Sequence, residues 1–209
     1  MSQSPIEMTP LPPGNHGLSR AEVEESQRLR LLRAMAEVMT EKGYARTSIA
    51  DVLRRARVSR ETFYELFDSK EECFIGAFEL AYRHLGEAMA TASAAEPADG
   101  ETSAIDRLGV VLENYLNAIA ADIPASRVFL IEVYAAGDAA LARRLALHNG
   151  LVEIIATLME ADDPGDRFAI EAFLAATISL VTSRVATRDA DAIRDLHGPL
   201  MALAERVGL

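Results

Sequence analysis

The sequence predicts an all-α fold of about nine helices, and three observations carry that expectation. From Ser19 onward apolar side chains recur at intervals of three and four, and no alternating segment bounded by turns makes a strand. Ser and Thr recur where these runs begin, and Gly or Pro where they end, as at the borders of helices. The 209 residues are 50% hydrophobic and 25% charged, which supplies a sizeable core and excludes a wholly disordered chain. The single cysteine, Cys73, excludes an internal disulfide framework or a multi-cysteine zinc site and fits a reducing compartment. No apolar run approaches the roughly 18 residues of a membrane helix. Residues 1–17 lack the basic start and apolar block of a secretory signal, so a cytoplasmic protein without membrane contact is expected.

Residues 1–18 hold four of the eight prolines, and Pro12-Pro13-Gly14 cannot continue a helix, so a mobile tail is expected there. Ser19 and Glu22 form a capping-box pattern that opens a first helix with Leu29, Leu32, Ala36 and Met39 on one stripe. Gly43 ends it as a left-handed cap. Ser48, with Asp51 at box spacing, opens a short helix ending near Ala56. Ser59 caps a third helix to about Phe67, and Ser69, with Glu72, caps a long fourth to roughly Ala92. Residues 94–102 are Ala, Pro, Gly and acid, and read as a loop. The fifth helix carries Ile105, Leu108, Leu112, Tyr115 and Ile119 on its stripe. A shorter helix is expected over 124–134, another over about 139–159, and a clear break at Asp162-Asp163-Pro164-Gly165. A helix over 166–187 follows, then a last helical stretch over 191–207, which Gly198-Pro199 should kink or split.

Residues 48–67 read as helix, tight turn, helix. Val52, Val58, Phe63 and Phe67 face inward and lock the pair. Arg60, Glu61, Thr62 and Tyr64 are left outside at the start of the second helix, where a helix laid in the major groove reads base edges. Arginine grips guanine at two points, and threonine meets a base or a thymine methyl. Tyr64 and Lys70 suit phosphate oxygens; Lys70 lies in a first helical turn, where free N–H groups and the helix dipole favour an anion. The whole chain carries a net charge of −11, which speaks against a general nucleic-acid coat protein. Residues 28–70 nevertheless hold ten basic and six acidic side chains, a net +4. A basic module on an acidic body binds a duplex without wrapping it.

The strings Arg28-Leu-Arg-Leu-Leu-Arg, Glu41-Lys-Gly-Tyr, Thr47-Ser48, Ala56-Arg-Val-Ser-Arg-Glu-Thr-Phe-Tyr-Glu-Leu-Phe and Asp68-Ser-Lys-Glu resemble the TetR family of bacterial transcriptional regulators. The resemblance covers residues 28–76, roughly a quarter of the chain. It implies an N-terminal helix-turn-helix DNA-binding domain of three helices over 19–68, with 69–209 as a helical effector-binding and dimerisation domain. It further implies a homodimer on double-stranded operator DNA and a small-molecule effector that releases it. By position, Ser48, Arg60, Thr62, Tyr64 and Lys70 fall where the family contacts DNA. Three positions depart from the pattern. Arg57 stands where the family has a turn glycine, so it is expected to hold an unusual backbone angle. Ala50 replaces a frequent basic contact, and Leu53 a usual alanine.

Helix 166–187 shows two apolar stripes, Ile170, Leu174, Ile178, Val181 and Val185 on one, and Ala169, Phe173, Ala176 and Leu180 on the other. A helix apolar on two faces must be covered on both. With Ile193, Leu196, Leu200, Leu203 and Val207 of 191–207, it is expected to build the homodimer as a four-helix bundle. An effector pocket is expected among helices 70–92, 103–122, 125–136 and 139–160, with Tyr82, Tyr115, Glu132, Tyr134 and His148 as its polar groups. Cys73 reads as a buried, inert thiol.

The expectation is therefore a sequence-specific DNA-binding transcriptional regulator, a repressor released by a small lipophilic or aromatic effector, with no cofactor or metal. The alternative is an effector-independent helical dimer that binds DNA or a partner. An enzyme is not expected, because no GxGxxG, P-loop or HExxH occurs and His16, His84, His148 and His197 are scattered.

Overall fold

The computed structural model describes residues 19–93 and 103–209; the expected tail at 1–18 and loop at 94–102 lie outside the described residues. Among the described residues there are ten α-helices, one 3-10 turn and no strand. The helices are α1 Arg20–Lys42, α2 Ile49–Ala56, α3 Arg60–Leu66, α4 Lys70–Ser93 and α5 Ala104–Ala121. They continue as α6 Ile123–Leu130, α7 Asp138–Leu158, α8 Pro164–Thr187, α9 Ala190–Arg194 and α10 His197–Arg206, with the 3-10 turn Glu132–Ala135 between α6 and α7.

Local chemistry sets most of the starts. Ser19 and Ser48 each close a full capping box, with Glu22 and Asp51 reaching back to the cap backbone. Ser59 accepts from Thr62 N at 3.0 Å, and Ser69 from Glu72 N at 3.0 Å. The Glu72 carboxylate takes Asp68 N, at 2.5 Å, instead of the Ser69 backbone. Gly43 has φ 79 and ψ 159, so its φ is positive as expected but its ψ is extended rather than left-handed helical.

Three boundaries differ from the sequence expectation. The helix beginning near Pro124 does not run to Tyr134; it ends at Leu130, and the chain tightens into the 3-10 turn. α8 begins at Pro164, its first residue, with Asp163 as cap, because proline there forfeits no intrahelical bond. The last stretch is split, but at Asp195-Leu196 rather than at Gly198-Pro199. Pro199 sits in the first turn of α10, where a missing N–H is tolerated.

α1 packs against α2, α3, α4 and α6, so it buries more than one stripe. Leu31, Leu32, Ala34, Met35, Ala36, Val38 and Met39 are all inside, while Leu29 is only half-buried. α4 lies along α1, α5 and α6, and α7 and α8 form a helical hairpin. One continuous core runs from Val52 and Phe63 through Phe74 and Phe78 to Ile170 and Leu200. By length and composition α8 is apolar enough to cross a membrane, contrary to the sequence expectation. Its inner face, Ile170, Phe173, Leu174, Thr177, Val181 and Val185, is buried against α6, α7 and α9, as in a core helix.

Gly76 marks the closest approach of α4 to α1. A Cβ there would lie 2.9 Å from Leu32 Cδ2 and 3.4 Å from Phe67 Cε1. Gly76→Ala is therefore expected to destabilise by about 1–3 kcal/mol through overpacking, read as a lowered Tm in circular dichroism; an unchanged Tm would show that the crossing has room. Burial pushes the Cys73 thiol up to about 12. Only about one thiol in 10,000 would then ionise at pH 8. Native protein at pH 8 should not react with a thiol-specific disulfide reagent, whereas denatured protein should react fully; rapid native labelling would contradict the burial.

Candidate functional site

The turn between α2 and α3 is Arg57-Val58-Ser59. Arg57 adopts the left-handed conformation, φ 53 and ψ 48, which a glycine would hold without strain. α3 then starts at Arg60 with its inner side fixed by Phe63, which is fully buried, and followed by buried Phe67. The two rings lie 5.6 Å apart. Val52 closes the core from α2, while Val58, expected inside, is half-buried. With Phe63 inside, the helical period turns Arg60, Glu61 and Tyr64 outward and leaves Thr62 half-buried. Tyr64 is 44% exposed. The Arg60 guanidinium lies 5.4 Å over the Tyr64 ring and donates from Nη2 to the phenol oxygen at 3.3 Å. The two side chains thus form a stacked unit at the exposed end of α3.

Ser48 and Lys70 are exposed or half-exposed but already engaged. The Ser48 hydroxyl donates to Asp51 Oδ2 at 2.5 Å and accepts from Asp51 N at 3.3 Å. Hydrogen bonds from Lys42 and then Ser48 hold the Asp51 carboxyl well below the usual carboxylate range. The Lys70 ammonium donates to the Tyr44 and Thr47 carbonyls at 3.1 and 3.2 Å, and lies 4.0 Å over the Tyr44 ring. Partial burial lowers its pKa. Lys70 therefore ties the start of α4 to the α1–α2 connection, with one N–H left over.

The basic segment also resolves into paired and unpaired charges. Lys42 and Arg54 pair with Asp51, Arg33 with Glu37, and Arg55 with both Glu37 and Glu41. Arg46, Arg57 and Arg60 are exposed and have no acidic partner among the described residues. Counting charges along the sequence had no means of separating these three from the rest.

A cavity of about 360 Å³ lies between α4, α5, α6, α7 and α8. Its lining is almost wholly apolar, with Phe78, Leu112, Phe129, Leu151 and Leu174 among the walls. Tyr82, Tyr115 and His148 line it, as the sequence suggested. Burial raises the pKa of both tyrosines. Glu132 and Tyr134 do not line it. Glu132 is buried and structural: its carboxylate accepts from Tyr44 N at 2.8 Å and pairs with Arg127 at 3.0 Å. Tyr134 is 62% exposed, because the chain has already left α6 for the 3-10 turn. α8, which was not among the helices expected to enclose the pocket, supplies a further wall through Phe173, Leu174, Thr177 and Ile178.

Of the second stripe, Phe173 is buried and Leu180 exposed. The outward face of α8 instead presents Ala172, Ala175, Ser179 and Leu180, with Phe168, 71% exposed, at its start. On the last stretch Ile193, Leu196 and Leu200 are buried, Leu203 is half-buried and Val207 exposed.

The sequence profile of the bacterial regulatory proteins of the tetR family matches residues 31–77, from within α1 into α4. Comparison with curated protein sequences finds no match. Among solved structures the chain is similar to a TetR-like transcriptional regulator from Rhodococcus sp. RHA1, 25% identical, covering 90% of this chain and 97% of that one with a TM-score of 0.67. The fatty acid degradation regulator FadR from Bacillus halodurans is 19% identical over 87% of this chain and 95% of its own, with a TM-score of 0.72. FadR from Bacillus subtilis, solved in complex with stearoyl-CoA, is 19% identical over 84% and 96%, with a TM-score of 0.68. The profile falls on the very helices that expose Arg60 and Tyr64, and the chain as a whole is similar in fold to TetR-like transcriptional regulators.

Proposed function

We propose that the protein is a homodimeric repressor that reads a two-fold-related operator with α3 and leaves it when a small lipophilic effector enters the cavity. The exposed N-terminal face of α3 above buried Phe63 is the observation that carries this reading. In it, residues 19–68 act as the reading domain and 69–209 as the effector-binding and dimerisation domain. In this reading Arg60 grips a guanine, Thr62 a base or methyl, and Glu61 a cytosine amino group. Tyr64, Ser48, Arg46, Arg57 and the remaining N–H of Lys70 face phosphates. Ala50 leaves α2 with a small part in base reading.

The apolar outer face of α8 supports a dimer through α8 and α10, since an amphipathic helix exposing Phe168 and Leu180 is otherwise left wet. A two-fold pair sets two reading helices about 34 Å apart, one DNA turn. The apolar cavity, and the stearoyl-CoA bound by the similar FadR from Bacillus subtilis, support a lipophilic effector. Coupling runs through α6. Phe129 and Leu130 line the cavity, while Arg127 and Glu132, beside them in sequence, hold the α1–α2 connection at Tyr44. An effector that shifts α6 shifts the head and so the populations of DNA-competent and incompetent states. Acting on chromosomal DNA places the protein in the cytoplasm.

Arg60→Ala is expected to cost about 10- to 100-fold in affinity for the preferred duplex and to relax sequence choice. Arg46→Ala should weaken binding to all duplexes and reduce the salt slope by about one. Anisotropy titrations in which neither substitution alters binding would refute the assignment. Glu132→Ala leaves half-buried Arg127 unpaired and buried Tyr44 N without its acceptor, and should destabilise by about 3–5 kcal/mol. Glu132→Gln keeps an acceptor for Tyr44 N and should lose less; calorimetric unfolding showing both variants equal to the parent would contradict a buried tie.

A further inference from the structure

The polar atoms of the cavity point to the head group of its occupant. Among the described residues, Arg144 Nε and Thr177 Oγ1 are buried without a hydrogen-bond partner, and both residues line the cavity. Thr177 is only 3% exposed. Buried polar atoms are nearly always satisfied, so two orphans in one cavity call for a common acceptor. No Asp or Glu lines the cavity, and Arg144 forms no ion pair among the described residues. Its neighbour Arg143 does, with Glu79 of α4 at 2.8 Å.

The two orphans share one level of the helical hairpin. Arg167 pairs with Glu153 across the antiparallel α7 and α8. Equal rise along both helices from that pair brings Ala176, the residue before Thr177, level with Arg144. Arg144 also lies close enough for its charge to act on the Tyr115 hydroxyl, and His148 follows one turn along α7. On its other side the guanidinium lies 5.0 Å over the exposed Tyr134 ring, so it stands where the cavity meets the surface. The cavity is thus an apolar chamber with one unpaired cation at its rim.

We propose that it takes an amphiphile with a single anionic oxygen head, a carboxylate or a phosphate ester, whose oxygens accept from Arg144 and Thr177 while an apolar body fills the chamber. This rests on the lipophilic-effector reading and adds the charge of the ligand to it. An acceptor there satisfies both orphan donors at once, and a charge-assisted bond to guanidinium is about twice as strong as a neutral one. An apolar or cationic ligand of the same shape leaves both donors buried and empty.

The test is calorimetric titration of the full chain with dodecanoate, dodecyl phosphate and dodecan-1-ol. At least one anion should bind about 10- to 100-fold tighter than the alcohol, and the tighter of the two identifies the head. Arg144→Gln should abolish that preference while leaving dodecanol affinity within about three-fold. Thr177→Val, which keeps volume and fold, should reduce anion affinity by about 2- to 10-fold and spare the alcohol. Equal binding of alcohol and anions, or a preference intact in both variants, overturns the anionic-head assignment and leaves the lipophilic effector standing. Failure of all three probes, the alcohol included, overturns the lipophilic-effector reading and the head group with it.

Discussion

Full burial of Phe63 beneath a seven-residue helix is the constraint on which the rest depends. A helix this short has one inward and one outward side, and an inward phenylalanine packed on Phe67 in the common core leaves no rotation free. Arg60, Glu61 and Tyr64 are thereby forced to the outside. The left-handed Arg57 sets the angle at which α3 leaves α2, and Ser59 fixes where α3 begins. The stacked Arg60–Tyr64 pair lowers the freedom of a long side chain before it meets any partner.

The same logic of satisfied polar groups joins the N-terminal helices to the body. Glu132 would be an isolated buried charge without Arg127 and Tyr44 N, and in meeting them it fastens the turn after α6 to the connection after α1. Gly43 makes room for this contact, since a Cβ there would lie 3.6 Å from Glu132 Oε2. Arg188 adds a second tie, donating to the Thr40 carbonyl at 2.5 Å from the end of α8. α6 and α8 both wall the cavity, so the two ties start beside elements that line it.

What was legible in the sequence is what local chemistry decides. Ser19, Ser48 and Ser59 announce helix starts through bonds made within three residues, and the inward set around Phe63 follows from period alone. The family resemblance carried the left-handed Arg57. What needs the third dimension was not legible. Glu132 and Tyr134 sit two residues apart, yet one is buried in an ion pair and the other exposed, because a 3-10 turn replaces the expected helix. Lys70 looked free for phosphate, and its ammonium holds two carbonyls 23 and 26 residues away. On α8, two apolar stripes told that both faces needed cover, but not that Phe173 and Leu174, one from each, both face the cavity.

The account stands most directly on whether the two-fold pair of α3 helices selects a sequence. Repeated selection from a pool of random duplexes at physiological salt, with the parent protein, measures this without prior choice of operator. The account predicts enrichment of one inverted repeat with half-sites about 10 base pairs, one helical turn or a multiple, apart. A pool that stays random, or an enriched site without two-fold symmetry, would contradict it.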